Sequence, residues 1–328
     1  MFHNVWILIA NNRKLSQKSL VLALLIVATL GMALSNGISN MSNNNQVQAQ
    51  QQNQIKINKV WETPDDLKNP ESVLYALKQD ILFVSNIDGK PDQKDQKGFI
   101  SKVSPSNGSI IELNWITGLN APKGMVIYNN NKLYVSDITD LVEIDIANGK
   151  IIKRLNVPGS AFLNDVASDN QGNIYVSDTG TNTIYKLDTN LKDNTSLQVW
   201  LQNPKLNGPN GLHFDNNKNK LIVVSKSGAG MKVVDLENKT ISSLGKEGRT
   251  TPVGGLDGIE SDATERHYYV TDNPAGRLYD VNANGSEYST LIELGTQGTA
   301  DLGFIPSQSI MIIPVMQDNK LVAYKLVQ

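Results

Sequence analysis

The chain has 328 residues, 40% hydrophobic and 19% charged, so it is long enough and apolar enough to bury a sizeable core. Its formal net charge of −2 at pH 7 gives no electrostatic reason to expect nucleic-acid binding. Cysteine is absent, which excludes disulfides, thiolate nucleophiles, cysteine-bound zinc and iron–sulfur clusters.

Residues 1–38 have the pattern of an export segment. Arg13, Lys14 and Lys18 precede an uncharged apolar stretch, residues 20–34. A basic segment followed by such a stretch predicts a secretory signal peptide. If the stretch continues to Ile38, it is just long enough to stay in the membrane as an uncleaved anchor. Either alternative places the rest of the chain outside the cytoplasm, periplasmic or extracellular, with membrane contact through this segment alone.

The next segment, residues 39–54, consists almost entirely of Asn, Gln and Ser. A segment with so few apolar groups to bury is predicted to be a disordered linker. The folded domain is therefore expected over residues 55–328.

Internal repetition dominates that domain. Short apolar segments ending in a hydroxyl residue and a polar residue read LFVSN, LYVSD, IYVSD, IVVSK and YYVTD, followed by a degenerate MIIPV. They lie at residues 82–86, 133–137, 174–178, 222–226, 268–272 and 311–315. Steps of 41 to 51 residues between them match the length of a four-stranded propeller blade. The repeats predict an all-β, six-bladed β-propeller.

The third repeat shows the expected strands most clearly, at residues 164–167, 173–177, 183–187 and 195–201. The last repeat ends after its third strand, residues 320–326. The alternating segment 55–61 precedes the first repeat, and we expect it to supply the missing outer strand. Such closure removes the exposed edges that an open array of sheets would leave.

The first strand of each blade lines the central channel, and the residue near its start faces the channel mouth. Counting back 13 to 15 residues from the hydroxyl positions, or from Pro314, gives six polar channel-mouth residues: Glu71, Lys123, Asn164, Asn210, Asp257 and Asp301. Two carboxylates and two amides among them form an all-oxygen ligand set suited to Ca²⁺ or Mg²⁺. The alternative is a wet polar channel that holds no metal.

Four short motifs stand in order on blades one, three, four and five: Pro70-Glu71, Asn164-Asp165, Pro209-Asn210-Gly211 and Leu256-Asp257-Gly258. They resemble the SMP-30/gluconolactonase/LRE family, six-bladed propellers related in fold to paraoxonases, and the resemblance covers roughly residues 60–328. It implies a central divalent metal on Glu71, Asn164, Asn210 and Asp257. Ca²⁺ is favoured, with Mg²⁺, Mn²⁺ or Zn²⁺ as alternatives. It also implies a monomer that hydrolyses a small-molecule lactone or ester.

The resemblance also suggests roles for single residues. Asp257 would act as metal ligand and general base towards an attacking water, and Lys123 would neutralise an oxyanion or the opened carboxylate. Asn164 would bind either the metal or the substrate. Asp301 would bind a sugar hydroxyl or pair with Lys123.

The chain also departs from the family pattern, with Pro-Glu-Ser for Glu-Gly-Pro at Glu71 and Asn-Asp-Val for Asn-Asp-Gly at Asn164. A paraoxonase-type histidine pair is not expected, because strand alternation directs His213 to the face opposite Asn210. Two further functions stay open. One is a non-catalytic, NHL-like binding propeller with a structural metal, and the other is a strictosidine-synthase-like or lyase activity.

Overall fold

The structure, a computed structural model, describes residues 55–191, 196–228, 230–245, 251–295 and 298–327. The predicted signal or anchor segment and the predicted linker lie outside these residues. Within these ranges no helix is long and apolar enough to cross a membrane.

The described residues form 24 strands in six four-stranded antiparallel sheets. The first strand is β1 (Lys56–Glu62), and blades one and two comprise β2 (Pro70–Ala76), β3 (Ile81–Asn86), β4 (Gly98–Val103), β5 (Ile110–Leu119), β6 (Pro122–Tyr128), β7 (Lys132–Asp137), β8 (Asp140–Asp145) and β9 (Lys150–Asn156). Blades three and four comprise β10 (Leu163–Ser168), β11 (Asn173–Asp178), β12 (Thr183–Asp188), β13 (Gln198–Gln202), β14 (Pro209–Asp215), β15 (Lys220–Ser225), β16 (Met231–Asp235) and β17 (Ile241–Ser243). Blades five and six comprise β18 (Leu256–Ser261), β19 (His267–Asp272), β20 (Arg277–Asn282), β21 (Tyr288–Glu293), β22 (Gly303–Ile305), β23 (Ile310–Val315) and β24 (Lys320–Val327).

The six-bladed propeller predicted from the repeats is confirmed. The first strands of neighbouring sheets, β2, β6, β10, β14, β18 and β22, contact one another around a closed ring. In the third blade, most observed strand ends differ from the predicted ones by one residue. The outer strand, β13, begins three residues later than predicted.

The N-terminal strand completes the last blade, as predicted. β1 pairs antiparallel with β24, with Lys56 opposite Val327 and Trp61 opposite Ala323. This pairing covers the hydrogen-bonding edge of β24 and joins the two ends of the domain.

The repeated hydroxyl residue has a structural role between blades. Ser177 Oγ accepts a hydrogen bond from Asp165 N of its own blade at 2.9 Å and donates one to Asn210 O of the next blade at 2.7 Å. Thr271 Oγ1 donates in the same way to Ala300 O at 2.9 Å. Each such hydroxyl satisfies backbone groups that would otherwise be buried without partners. The motif therefore recurs because it joins adjacent first strands.

The aspartate after the hydroxyl accepts hydrogen bonds from the loop before the first strand of its blade. Asp178 accepts hydrogen bonds from Ala161 N at 2.8 Å and Phe162 N at 3.1 Å, just before β10 begins. Asp137 accepts from Ala121 N at 2.8 Å, just before β6. These bonds hold the chain where it enters each channel-lining strand, and so they position the residues at the mouth.

The hydrophobic core lies between blades. Between blades one and two, for example, it contains Phe83, Ile100, Leu133, Val135 and Val142, all fully buried. Burying a side chain of this size contributes about 1.5–3 kcal/mol relative to leaving it exposed. Packing of this kind keeps the channel-lining strands in fixed relative positions.

Candidate functional site

Five of the six predicted channel-mouth residues occupy the same structural position. Each is the second residue of the first strand of its blade, and each is buried; they are Glu71 (β2), Lys123 (β6), Asn164 (β10), Asn210 (β14) and Asp257 (β18). Because first strands surround the channel, the equivalent positions bring these side chains together at one end of it.

Asp301 does not share that position, and this corrects the prediction. The hydrogen bond from Thr271 reaches Ala300 O, so Ala300 is the equivalent of Asn210 in the sixth blade. Asp301 is one residue further along the chain, where its Oδ2 accepts a bond from Ser72 Oγ at 2.7 Å. No ion pair joins it to Lys123 in the described part of the chain. In the degenerate sixth repeat, Pro314 takes the place of the hydroxyl residue. The count back from Pro314 therefore ended at Asp301, one residue short of Ala300.

The fourth repeat needs a similar correction. Ser225 pairs with Pro209 in the way that Asp178 pairs with Leu163, so Ser225 stands at the aspartate position. Val224 therefore takes the place of the joining hydroxyl in this blade. The predicted position of Asn210 is unaffected.

Asp257 is held by two amides. Asn210 Nδ2 donates to Asp257 Oδ1 at 2.7 Å, and Asn273 Nδ2 donates to Asp257 Oδ2 at 2.7 Å. Asn210 Nδ2 also donates to Leu256 O at 3.1 Å. These bonds fix the orientation of the Asp257 and Asn210 side chains. They direct the amide nitrogen of Asn210 towards blade five, so its amide oxygen points away from blade five.

Two buried oxygens at the mouth have no hydrogen-bond partner among the described residues, Glu71 Oε2 and Asn210 Oδ1. A buried acceptor without a partner costs about 1–3 kcal/mol, and more when it is charged. A divalent cation that prefers oxygen ligands would satisfy both atoms, so the residues present fit such an ion. In the described ranges no three His, Asp or Glu side chains gather in metal-binding geometry. A cation here would therefore need the amide oxygens as well as the two carboxylates.

The electrostatics of the mouth also favour an added positive charge. Burial, and then the charge of Asp257, raise the pKa of Glu71 well above its ordinary value. Burial raises the pKa of Asp257 to about 6, against the hydrogen bond from Asn273, which lowers it. The charged forms of two buried carboxylates whose pKa values are raised in this way are stabilised by a nearby cation.

Lys123 is almost fully enclosed. Its Nζ donates to Ala121 O at 2.9 Å and to Pro91 O at 3.1 Å, and it lies 4.4 Å from the centroid of the Phe162 ring. Burial lowers its pKa, against the charge of Glu71, which raises it. Pro91 lies in the loop between β3 and β4, so this lysine connects the channel to that loop.

A second set of residues at the mouth was missed. It consists of the residue directly after the second strand of each blade: Ile87, Ile138, Thr179, Lys226, Asn273 and Met316. Two of these contact channel-mouth residues. Asn164 Nδ2 donates to Thr179 Oγ1 at 3.3 Å, and Asn273 donates to Asp257. In five repeats this residue directly follows the motif in the sequence. In the fourth, Lys226 is the last residue of the motif, because that repeat is displaced by one residue.

The histidines of the described residues lie away from the mouth. His213 packs edge-on against Tyr268 with 5.9 Å between ring centroids, and burial lowers its pKa to about 4. His267 Nδ1 lies 2.8 Å from Asp280 Oδ1. No histidine pair forms beside Asp257 in the described part of the chain, as predicted.

Deeper in the channel lies a second group of acidic side chains. Asp165, Glu260 and Asp301 line a cavity of about 330 Å³ that also contacts His213. Burial raises the pKa of Asp165 to about 7 and that of Glu260 to about 8. These groups belong to the interior of the channel, one layer or more below the mouth.

Comparison with known proteins agrees with the fold. No family model matches the chain, and no curated protein matches it. A gluconolactonase from Xanthomonas campestris has a similar structure, with a TM-score of 0.60, 15% identity, and coverage of 80% of this chain and 88% of that one. A second protein assigned as a gluconolactonase, from a structural genomics consortium, has a TM-score of 0.61 and 13% identity over 84% of this chain and 93% of its own.

A virginiamycin B lyase from Staphylococcus aureus is also similar, with a TM-score of 0.58, 14% identity, and coverage of 84% of this chain and the whole of that one. At these identities the likeness concerns the fold. The structural neighbours thus include the gluconolactonases that the sequence motifs resemble, together with a lyase on the same scaffold.

Proposed function

We propose that the protein is a metal-dependent hydrolase of lactones or small esters, with Ca²⁺ as the favoured metal. The observation that carries the proposal is the pair of buried, partnerless oxygens, Glu71 Oε2 and Asn210 Oδ1, beside the carboxylate of Asp257. A propeller that only binds a partner through its rim has no need for such a pair.

Glu71, Asn164, Asn210 and Asp257 would hold the ion. When bound, a divalent cation supplies a Lewis acid that polarises a substrate carbonyl and lowers the pKa of a nearby water. Asn210 and Asn273 fix the carboxylate of Asp257 from both sides, so it is oriented before substrate arrives. With a pKa near 6, Asp257 is ionised at neutral pH and can accept a proton from the attacking water.

Lys123 brings a positive charge to the side of the mouth next to Glu71. Its ammonium is held by two backbone carbonyls and shielded from water, so its field acts on the site with little solvent screening. We propose that this charge stabilises the oxyanion that develops as the ester carbonyl is attacked.

The test is turnover of a lactone and ester panel by the full chain, with Ca²⁺, Mg²⁺, Mn²⁺ or Zn²⁺ added after chelation. We expect hydrolysis that needs the metal and that Asp257→Ala reduces by at least a hundredfold. The matched control is Asp145→Ala, at the end of β8 on the protein surface, which should keep full activity. Metal binding without turnover, or turnover that survives Asp257→Ala, would contradict the mechanism.

The similarity to a lyase favours one further candidate, an elimination reaction at the same mouth. Product mass separates the two chemistries, because hydrolysis adds the mass of water and elimination leaves the summed mass unchanged. A ring-opened product without added water would favour the lyase.

A further inference from the structure

Lys226 lies at the channel mouth without an assigned role. It follows β15 and occupies in blade four the place that Thr179 has in blade three and Asn273 in blade five. The backbone confirms the equivalence, since Lys226 N donates to Gly208 O at 2.8 Å as Asn273 N donates to Gly255 O at 3.0 Å. Both flanking residues touch the proposed metal ligands. Lys226 is therefore placed over the mouth between them.

Lys226 differs from the other five residues at this position because it alone is charged. Its side chain is exposed, and no Asp or Glu oxygen of the described residues lies within 4.0 Å of its ammonium. It contacts an aromatic ring instead, with Nζ 5.7 Å from the centroid of Phe162. An exposed ammonium without an ion pair is available to a ligand.

The same ring joins Lys226 to Lys123, whose Nζ lies 4.4 Å from the centroid of Phe162. Lys123 is enclosed, and two of its three N–H donors are taken by carbonyls. Of the two ammonium groups, Lys226 is the one that a substrate can reach.

The charge balance of the mouth depends on the metal. Glu71 and Asp257 together carry two negative charges when ionised, which a divalent cation would neutralise. Among these four side chains, the charges of the two lysines then remain unneutralised. A positively charged cleft attracts anions and holds them by charge-assisted hydrogen bonds.

We infer that the substrate of this hydrolase carries an anionic group, a phosphate or a carboxylate, remote from the carbonyl that is attacked, and that Lys226 binds this group. The inference rests on the proposed function, because it names the class of lactone or ester that the mouth accepts. It makes Lys226 a specificity residue that has no part in the chemical step.

Binding is tested without turnover, by calorimetric titration of the full chain with glucose, glucose 6-phosphate and glucuronate in Ca²⁺. We expect at least one of the two anions to bind about tenfold more tightly than glucose, the gain from one charge-assisted hydrogen bond. Which anion shows the gain identifies the group. Lys226→Gln should abolish the advantage, and Lys78→Gln should keep it, since Lys78 is an exposed lysine between β2 and β3 at the other end of the channel.

Kinetics distinguish failure of this inference from failure of the proposed function. With glucono-1,5-lactone and its 6-phosphate as substrates, Lys226→Gln should raise KM about tenfold for the phosphorylated lactone and leave kcat unchanged for both. Equal affinities for glucose and both anions, or equal effects of Lys226→Gln and Lys78→Gln, would overturn the anion site and leave hydrolysis standing. Anion binding that depends on Lys226, with no lactone hydrolysed, would keep the site and reject the hydrolase.

Discussion

Asp257→Asn should have opposite effects on stability in the absence and presence of metal. Asp257 is buried, and burial raises its pKa from 3.8 to about 6. Because the folded pKa is the higher one, the stability associated with protonated Asp257 is present below about pH 4 and is lost as the pH rises through 6. At pH 7 the metal-free protein therefore bears the full cost of an ionised, buried carboxylate.

A shift of about two pKa units corresponds to about 3 kcal/mol. Asparagine removes this cost, but it also weakens the hydrogen bonds from Asn210 and Asn273, which contribute about 0.5–1.5 kcal/mol each. The variant should thus be more stable than wild type by up to about 2 kcal/mol at pH 7 in a chelator. The difference should grow from pH 4 to pH 6 and then level off.

Calcium should reverse the order. Wild type should gain about 2.7 kcal/mol when Ca²⁺ is at a hundred times its Kd, and Asp257→Asn should gain little. Urea unfolding of both proteins between pH 4 and pH 8, with EDTA or CaCl₂, measures these quantities. Asp145→Asn is the control, because hydrogen bonds from Asn148 lower the pKa of that carboxyl, which lies away from the mouth. Loss of the Asp145 carboxylate should destabilise the protein equally with and without Ca²⁺. A variant that is less stable than wild type in EDTA at pH 7, or that keeps the calcium response, would refute the reasoning.

Gly258→Ala should destabilise the protein by about 2–4 kcal/mol in urea unfolding, because a Cβ there would lie 2.4 Å from Asp301 Oδ1 and 2.6 Å from Asp301 Cα. A change below about 0.5 kcal/mol would contradict the close approach of blades five and six. Glu260→Gln should leave stability near pH 4 unchanged and raise it increasingly towards pH 8, by about 1–3 kcal/mol, since desolvation in the channel raises the pKa of Glu260 to about 8 and its ionisation costs stability as the pH rises. Parallel pH profiles for variant and wild type would count against a desolvated carboxyl at this position. Deletion of residues 1–62 removes β1 (Lys56–Glu62) and uncovers the edge of β24, so it should lower the Tm by at least 10 °C and cause concentration-dependent association, measured by light scattering. An unchanged Tm would show that ring closure adds no stability.

Much of the fold follows from local sequence. A motif such as IYVSD needs apolar residues for the core between blades, a hydroxyl to join two first strands, and an aspartate to hold the loop before the channel strand. These requirements act within one blade and its neighbour, so they recur at the blade spacing and can be counted. The closing strand β1 was also predictable, because the last repeat lacked one strand and the N-terminal segment alternates.

Register was harder to predict where the motif degenerates. The sixth repeat has Pro314 and the fourth has Val224 at the hydroxyl position, and neither can donate the joining hydrogen bond. A count from a missing hydroxyl is uncertain by one residue, and one residue reverses the direction of a strand side chain. For this reason Asp301 was placed at the mouth, although its partner is Ser72, deeper in the channel.

The sequence by itself determined the blade number, the closure by the N-terminal strand and a polar residue near the start of five of the six channel strands. The tertiary structure decided which atoms of those residues lack partners. Asn210 and Asp257 are 47 positions apart, and their hydrogen bond turns the oxygen of Asn210 away from blade five. It also brought the ammonium groups of Lys226 and Lys123 to the same aromatic ring, that of Phe162. Composition and spacing describe one blade at a time, whereas the chemistry of the mouth depends on contacts between blades that are far apart in the chain.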